Sequence, residues 1–250
     1  MNTMKTSTLQ PIPNEPALYI KNQRTLVVAD LHIGIEHELR LQGLNIPSQT
    51  QLLTHHLITI IKNVHPQDII LLGDIKHNIP TSTREERQDV YQFLETIQTY
   101  ATIHIIPGNH DGNIHKWVPE PIQIHPSDGY RVDNIGFIHG HRWPREELMT
   151  CTHLLTGHTH PTIQLTDRLG YKTFEPCWIR GTFSEQKIKK RYPNMTNPEL
   201  IIFPAFHPLC GGVAANTDHL IGPLASSLDI HTADIYLIDG THLGKIRDIQ

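Results

Sequence analysis

The chain contains only three cysteines, Cys151, Cys177 and Cys210, and no two of them form a C-x-x-C pair. So few, and an odd number, support neither a disulfide framework nor a cysteine-based structural zinc site, and a reducing cytoplasm is the expected setting. A strong charge of either sign is also missing. The formal net charge is −4, so any contact with nucleic acid has to use a local patch. No apolar run approaches the roughly 20 residues that a membrane-spanning helix needs. Residues 1–16, MNTMKTSTLQPIPNEP, are polar and broken by Pro11, Pro13 and Pro16. They lack the apolar core of a signal peptide and read as an extended N-terminal segment. Internal repeats and long low-complexity tracts are absent. With 250 residues, 38% apolar and 18% charged, the composition is that of a soluble globular protein with a sizeable core.

The first half of the chain alternates strand and helix. RTLVVA (24–29) reads as a buried strand ending at Asp30, and residues 34–42 as a short helix stopped by Gly43. Pro47 sits at a helix start, followed by apolar residues at helical spacing through SQTQLLTHHLITIIKNV. DIILLGD is a second strand, ending at Asp74. Ser82 and Glu85 have capping-box spacing before the helix TREERQDVYQFLETIQTY, and ATIHII is a third strand running into GNHD. This alternation argues for a layered α/β sheet. The second half offers a succession of short strands, PIQIH, GYRV, NIGFIHG, HLLTG, PTIQLT, YKTFEPCWI, ELIIFPAF and DIYLID, with a thin helix signal at REELM (145–149). It reads as a second sheet packed on the first. No Gly/Ser-rich or charged linker separates the halves, so residues 1–250 are expected to form one domain.

Histidine is what the chain has in quantity, with 19 residues, and several stand where a strand hands over to a loop. Asp30 and His32 follow the first strand, Asp74 and then His77 the second, and Asn109, His110 and Asp111 the third. His139 and His141 follow NIGFI, and His158 and His160 lie in GHTH. Sites in layered α/β sheets gather at such carboxyl ends. Side chains at i and i+2 of an extended segment point the same way, so Asp30 with His32, and His158 with His160, can each aim two ligands into one cavity. A lone D-x-H or G-D is more often an ordinary loop pair. The full set, in this order and each at a strand end, argues for a metal site.

Carboxylate, amide and imidazole donors without a thiolate suit Mn²⁺, Fe, Ni²⁺ or Zn²⁺. Seven ligands, Asp30, His32, Asp74, Asn109, His139, His158 and His160, are too many for one ion. They suit two ions roughly 3.5 Å apart sharing a carboxylate and a water. Asp74 is the best bridge, and His158 and His160 then face different ions.

The motifs D-L-H, G-D-x-x-H, G-N-H-D, H-G-H and G-H-T-H, from Asp30 to His160, resemble the signature of the calcineurin-like metallophosphoesterase superfamily. The resemblance implies a four-layer α-β-β-α sandwich of two mixed sheets flanked by helices, and a dinuclear site, with Mn²⁺ the expected metal. By resemblance Asp30, His32, Asp74 and His160 hold one ion, and Asp74, Asn109, His139 and His158 the other. The implied reaction is phosphoester hydrolysis by hydroxide formed between the ions. His110 is the general acid by analogy. Asp111 either orients it or caps the following turn, and His77 contacts phosphate or leaving group. Asn109 helps to bind phosphate, and His141, which points the same way as His139 if that segment is extended, either does so too or is a solvated loop histidine.

Protein phosphatases of the superfamily carry a second Asp and then Arg after the G-D. GDIKH departs from that and resembles the SbcD-like nuclease and phosphodiesterase branch. The stretches FPAFHPLCGG (203–212) and IYLIDGTHLG (235–244) resemble small archaeal SbcD-related phosphoesterases and the ligase-associated bacterial phosphoesterases proposed for DNA repair. The expected activity is therefore a phosphodiesterase or DNA-repair nuclease. The alternatives are an enzyme of nucleotides or cyclic nucleotides and a non-catalytic interaction scaffold, although no ligand position is missing. The run EQKIKKRY (185–192), with Lys187, Lys189, Lys190 and Arg191, either grips a nucleic-acid backbone or is a solvated face. Trp143 either stacks on a base or is buried, His207 has no assigned place, and a homodimer stays open.

Overall fold

A computed structural model of the chain describes residues 8–80 and 82–249. The first sheet runs in the order β1 (Leu9–Pro11), β2 (Ala17–Ile20), β3 (Thr25–Val28), β4 (Asp68–Leu71), β5 (Thr102–Ile105) and β6 (Gln123–Ile124). The pairs β1–β2 and β2–β3 are antiparallel, and β3 to β6 are parallel. Helices α1 (Ile35–Leu41), α2 (Thr50–Val64) and α3 (Arg84–Ile97) lie in the crossovers between the parallel strands. All four residues of β3 are buried, as expected for a strand covered on both faces.

The second sheet has a parallel centre of β8 (Ile135–Ile138), β9 (His153–Thr156) and β12 (Glu199–Ile202). Antiparallel strands extend it on both sides. β7 (Tyr130–Val132) pairs with β8. On the other side β11 (Lys172–Gly181) pairs with β12 and with β10 (Pro161–Thr166). β13 (Val213–Ala214) joins β10, while β14 (Asp234–Leu237) pairs with β11 and β15 (His242–Lys245).

Three apolar layers follow from the period-2 alternation of these strands. On the outer face of the first sheet, Leu26, Val28, Ile69, Leu71 and Ile103 meet Leu57 and Ile60 of α2 and Phe93 and Leu94 of α3. Between the sheets, Val27, Ile70 and Leu72 meet Phe137, Leu155, Trp178, Ile201 and Phe203. The Trp178 and Phe203 rings meet edge to face at 4.6 Å. On the outer face of the second sheet, Leu154, Ile179, Leu200 and Ile202 meet Met149, Phe183, Ile188 and Tyr192. This last layer is thin in helix, with α4 (Glu185–Ile188) and 3-10 turns at Glu146–Thr150 and Ala225–Ser227. The expected α-β-β-α sandwich of two mixed sheets is what the chain forms.

Four expectations need correction. Of the segment 1–16, residues 1–7 lie outside the described residues, and Leu9–Pro11 form an edge strand rather than a free extended segment. The prolines hid it, although an edge is where a strand tolerates proline. PIQIH supplies β6 to the first sheet, not the second. The cap of α3 is Thr83, whose hydroxyl accepts from the Glu86 N–H, so the Ser82–Glu85 register is one residue early. Glu86 does not reach back to the cap. It is buried, and its carboxylate accepts from the N–H groups of His77 and Asn78. The helix at Glu185–Ile188 lies in the basic run and was not expected.

Candidate metal centre

The expected ligands do gather at the carboxyl ends of the two parallel strand sets, but not because the loops are extended. Asp30 (φ 59°), His32 (40°), Asp74 (49°), His158 (70°) and His160 (45°) are all left-handed. Each such non-glycine residue costs on the order of 1–3 kcal/mol and persists only where its surroundings fix it. Here the two loops fix each other. Asp30 N–H donates to the Gly73 carbonyl at 3.2 Å, and His32 N–H to the Asp74 carbonyl at 2.8 Å. Glycines make room for this approach. A Cβ on Gly157 would stand 2.6 Å from Asp30 Oδ2, and one on Gly73 2.6 Å from His139 Nδ1.

Overlapping groups of donors result, two of which share Asp74. Asp30, His32 and Asp74 have ligand atoms within 4.8 Å of one another, as do Asp74, His139 and His158. His160 joins the first group, with Nε2 3.3 Å from Asp30 Oδ1 and 3.2 Å from His32 Nε2. Asn109 joins the second, with Oδ1 3.3 Å from His139 Nε2. Asp74 stands between them, its Oδ2 3.2 Å from His139 Nε2 and 3.7 Å from His32 Nε2. Hence His158 and His160 face different groups.

The protein sets the tautomers. His139 Nδ1 meets the Leu72 carbonyl at 2.7 Å, and His160 Nδ1 the Gly211 carbonyl at 3.0 Å. A donor on each Nδ1 leaves the Nε2 lone pair for a cation, the usual outer arrangement of metal-binding histidine.

Charge and burial pull these groups apart. Burial pushes the His139 ring down, but Asp74 and Asp30 overcome it and raise its pKa to about 9. Burial pushes the Asp74 carboxyl up, and His139 and His32 more than offset this, holding it below the ordinary carboxylate range. Burial dominates at His32, lowered to about 3, and at His158 and His141, each lowered to about 4.

The residues expected around the ligands are placed as follows. The His110 ring donates from Nδ1 to the His77 carbonyl, a short contact, and its Nε2 lies 3.9 Å from Asp74 Oδ2. His77 Nδ1 meets His32 Nδ1 at 3.1 Å, and its Nε2 meets Glu38 Oε2 at 2.6 Å. Asp111 makes no hydrogen bond to His110. Its buried carboxylate accepts from Ile75 N–H (2.9 Å), Lys76 N–H (3.3 Å) and Gly108 N–H (2.8 Å), tying the GDIK and GNHD loops together. Burial and then Asp74 push its pKa up to about 6, against the pull of these donors. It is still ionised at neutral pH.

His141 is near His158 (ring centroids 6.2 Å) and accepts from Arg142 Nε, while its buried Nδ1 has no partner. The basic run is exposed, and three of its four cations have partners within the protein. Lys187 donates to the Ser226 carbonyl, Lys189 pairs with Glu185, and Arg191 lies 4.8 Å over Trp143.

Sequence reasoning missed Glu38, Glu86 and Cys210. The Cys210 ligand atom lies within 4.8 Å of those of His32 and His160, so the expectation of a set without sulfur is incomplete. Only the cysteine's place in FPAFHPLCGG could have signalled it. His207 also finds its place in that stretch. It is buried, and its N–H donates to the Asp30 carbonyl.

The donor set fits a pair of divalent ions. Ligand atoms about 2.1 Å from one ion lie roughly 3 to 3.5 Å apart, which is close to the separations around Asp74. Two mixed sheets flanked by helices, with these donors at the strand ends, are what the resemblance of the motifs to calcineurin-like metallophosphoesterases implies. No family model matches the chain, and no curated protein matches it. Among solved structures it is similar to the nuclease MPE of Pseudomonas putida, with 21% identity over 92% of this chain and 97% of that one and a TM-score of 0.58. Likeness at this identity is likeness of fold. A weaker similarity, with a TM-score of 0.36 and 14% identity over 60% of this chain and 76% of that one, is to YfcE, a phosphoesterase from E. coli.

Proposed function

We propose that the protein is a two-metal phosphodiesterase. The observation that carries this is the position of Asp74 Oδ2 between two separate groups of imidazole and carboxylate donors. Asp30, His32, Asp74 and His160 would hold one ion, and Asp74, Asn109, His139 and His158 the other. Such a pair lowers the pKa of water, giving a nucleophile near neutral pH, and neutralises charge on the phosphoryl oxygens.

The chain's own residues do the rest. The Leu72 and Gly211 carbonyls hold His139 and His160 in the tautomer that presents Nε2. His110 keeps its Nδ1–H on the His77 carbonyl and, as imidazolium, delivers the Nε2 proton to the leaving oxygen. Asp111 and Glu86 fix the loops that carry these groups, and His77 positions His32. Asn109, exposed at the mouth, presents its amide to a phosphoryl oxygen. His141, neutral at pH 7, adds a hydrogen bond, and Arg142 beside it adds charge.

Asn109 is exposed and His110, His158 and His160 are half-buried, above the buried Asp30, His32, Asp74 and His139, so the site opens to solvent on one side. This supports a substrate that offers its phosphodiester from outside, such as a nucleic-acid strand, and the fold shared with a nuclease supports it too. The test is Mn²⁺-dependent hydrolysis of bis-p-nitrophenyl phosphate, p-nitrophenyl phosphate and single-stranded DNA by wild type and His110→Ala. The expected result is cleavage of the diester and of DNA by wild type, with a loss of about 10²–10⁴-fold in the variant. Cleavage of the monoester alone would move the assignment to a phosphatase of small molecules. Inertness with Mn²⁺, Fe²⁺, Ni²⁺ and Zn²⁺ would leave a non-catalytic scaffold.

A further inference from the structure

The segment 203–213 crosses from the second sheet to the first and is pinned on both sides of Cys210. Phe203 N–H donates to the Thr156 carbonyl, Phe206 N–H to the Ala29 carbonyl and His207 N–H to the Asp30 carbonyl. Beyond the cysteine, the Gly211 carbonyl takes His160 Nδ1 and Val213 N–H donates to the His160 carbonyl. The backbone that places Asp30 and His160 thus also places the sulfur, whose distance to the ligand nitrogens of His32 and His160 is within 4.8 Å. One buried polar atom in this segment is unsatisfied. His207 is 1% exposed, its Nδ1 accepts from Leu209 N–H at 3.0 Å, and its Nε2 has no partner.

We infer that Cys210 is a further ligand, giving the Asp30–His32–Asp74–His160 position a thiolate that the Asp74–Asn109–His139–His158 position lacks. The inference rests on the two-metal reading above. On binding, the S–H bond breaks, the proton leaves to solvent and the sulfur lone pair forms the bond to the cation, with no change of oxidation state. The two positions then differ in chemistry. Sulfur with imidazole favours Zn²⁺, Fe²⁺ or Co²⁺, whereas the all-oxygen-and-nitrogen position accepts a harder ion such as Mn²⁺. The expected occupant is a mixed pair rather than two manganese ions.

The test is anaerobic titration of the metal-free full chain with Co²⁺, read by absorption. Binding at carboxylate and imidazole gives weak visible d–d bands, and a thiolate ligand adds an intense near-ultraviolet sulfur-to-cobalt band. Wild type is expected to show both. Cys210→Ser is expected to keep the visible bands and lose the near-ultraviolet one, and Cys151→Ser to keep both. Zn²⁺ affinity is expected to fall about tenfold or more in Cys210→Ser with little change for Mn²⁺. Visible bands without a sulfur band in wild type would overturn the inference and leave the two-metal reading intact. So would a sulfur band that survives in Cys210→Ser. No cobalt binding at all would remove both. The wild-type spectrum decides even if a variant does not fold.

Discussion

Replacing Asp111 by Asn separates a residue that builds the site from one that reacts in it. The carboxylate accepts three backbone N–H groups, from Ile75 and Lys76 through Oδ1 and from Gly108 through Oδ2. An Asn side chain can keep Oδ1 where it is, but its NH₂ then meets the Gly108 N–H, donor against donor. One charge-assisted bond is lost, about 1.5–3 kcal/mol, and one buried N–H is left unpaired, about 1–3 kcal/mol. These overlap, so the expected cost is about 3 kcal/mol. The inverted amide loses two acceptor contacts and does no better. Urea unfolding of the metal-free protein checks this, with a lower midpoint at unchanged slope, or a fall in Tm of roughly 6–12 °C for a chain of this size. Because Gly108 carries the Asn109–His110 loop, metal affinity is expected to fall in parallel, while the pH profile of any remaining hydrolysis keeps its shape. Unchanged stability and metal affinity, with only turnover lost, would show that Asp111 acts on the reaction and that the loop-tying role is wrong.

Other expected outcomes follow from the same contacts. Gly157→Ala puts a Cβ 2.6 Å from Asp30 Oδ2 and 2.9 Å from Ala29 Cβ; isothermal titration should show metal binding lost, and near-native affinity would contradict the packing argument. Phe203→Ala, at the Trp178 contact between the sheets, is expected to cost about 3–5 kcal/mol, and a loss under about 1 kcal/mol by urea unfolding would mean that the sheets do not pack as described. Acid should destabilise the metal-free chain between pH 6.5 and 4. Burial lowers His207, His125, His141 and His158 to about 4 and His32 to about 3. The folded state therefore binds fewer protons than the unfolded chain in this window, and stability falls with pH. His207 alone accounts for on the order of 3 kcal/mol. His139 is raised to about 9, so its contribution is full below pH 6.5 and is lost only as pH rises toward 9. A Tm that stays flat from pH 7 to 4.5 would contradict this. Lys189→Glu and Lys190→Glu together are expected to change DNA cleavage by less than about twofold, and a large loss would return the basic run to the substrate path.

The candidate donor set was legible because its chemistry is local. Asp30 with His32, GNHD and GHTH each sit beside a strand whose apolar run marks its own end. What sequence could not supply was the backbone that makes them converge. Five of these residues take a left-handed conformation that is costly in isolation and is held by bonds between loops, such as His32 N–H to the Asp74 carbonyl. The strand β1 was hidden by prolines that an edge tolerates. Proximity in sequence to a ligand does not say where His77 and Asp111 spend their hydrogen bonds. Glu38 and the loop backbone take them. Cys210 could not be read from spacing, since the segment that brings it to His160 is fixed by pairing of β13 with β10 and not by any local pattern.

The central claim is that two ions share Asp74. The most direct measurement is a crystal structure of the protein soaked in Mn²⁺, with anomalous data and with Asp74→Ala beside wild type. Two anomalous peaks flanking Asp74 Oδ2, one against His32 and His160 and the other against His139 and His158, are predicted, with the shared position lost in the variant. A single peak away from Asp74, or none at saturating metal, would contradict the account.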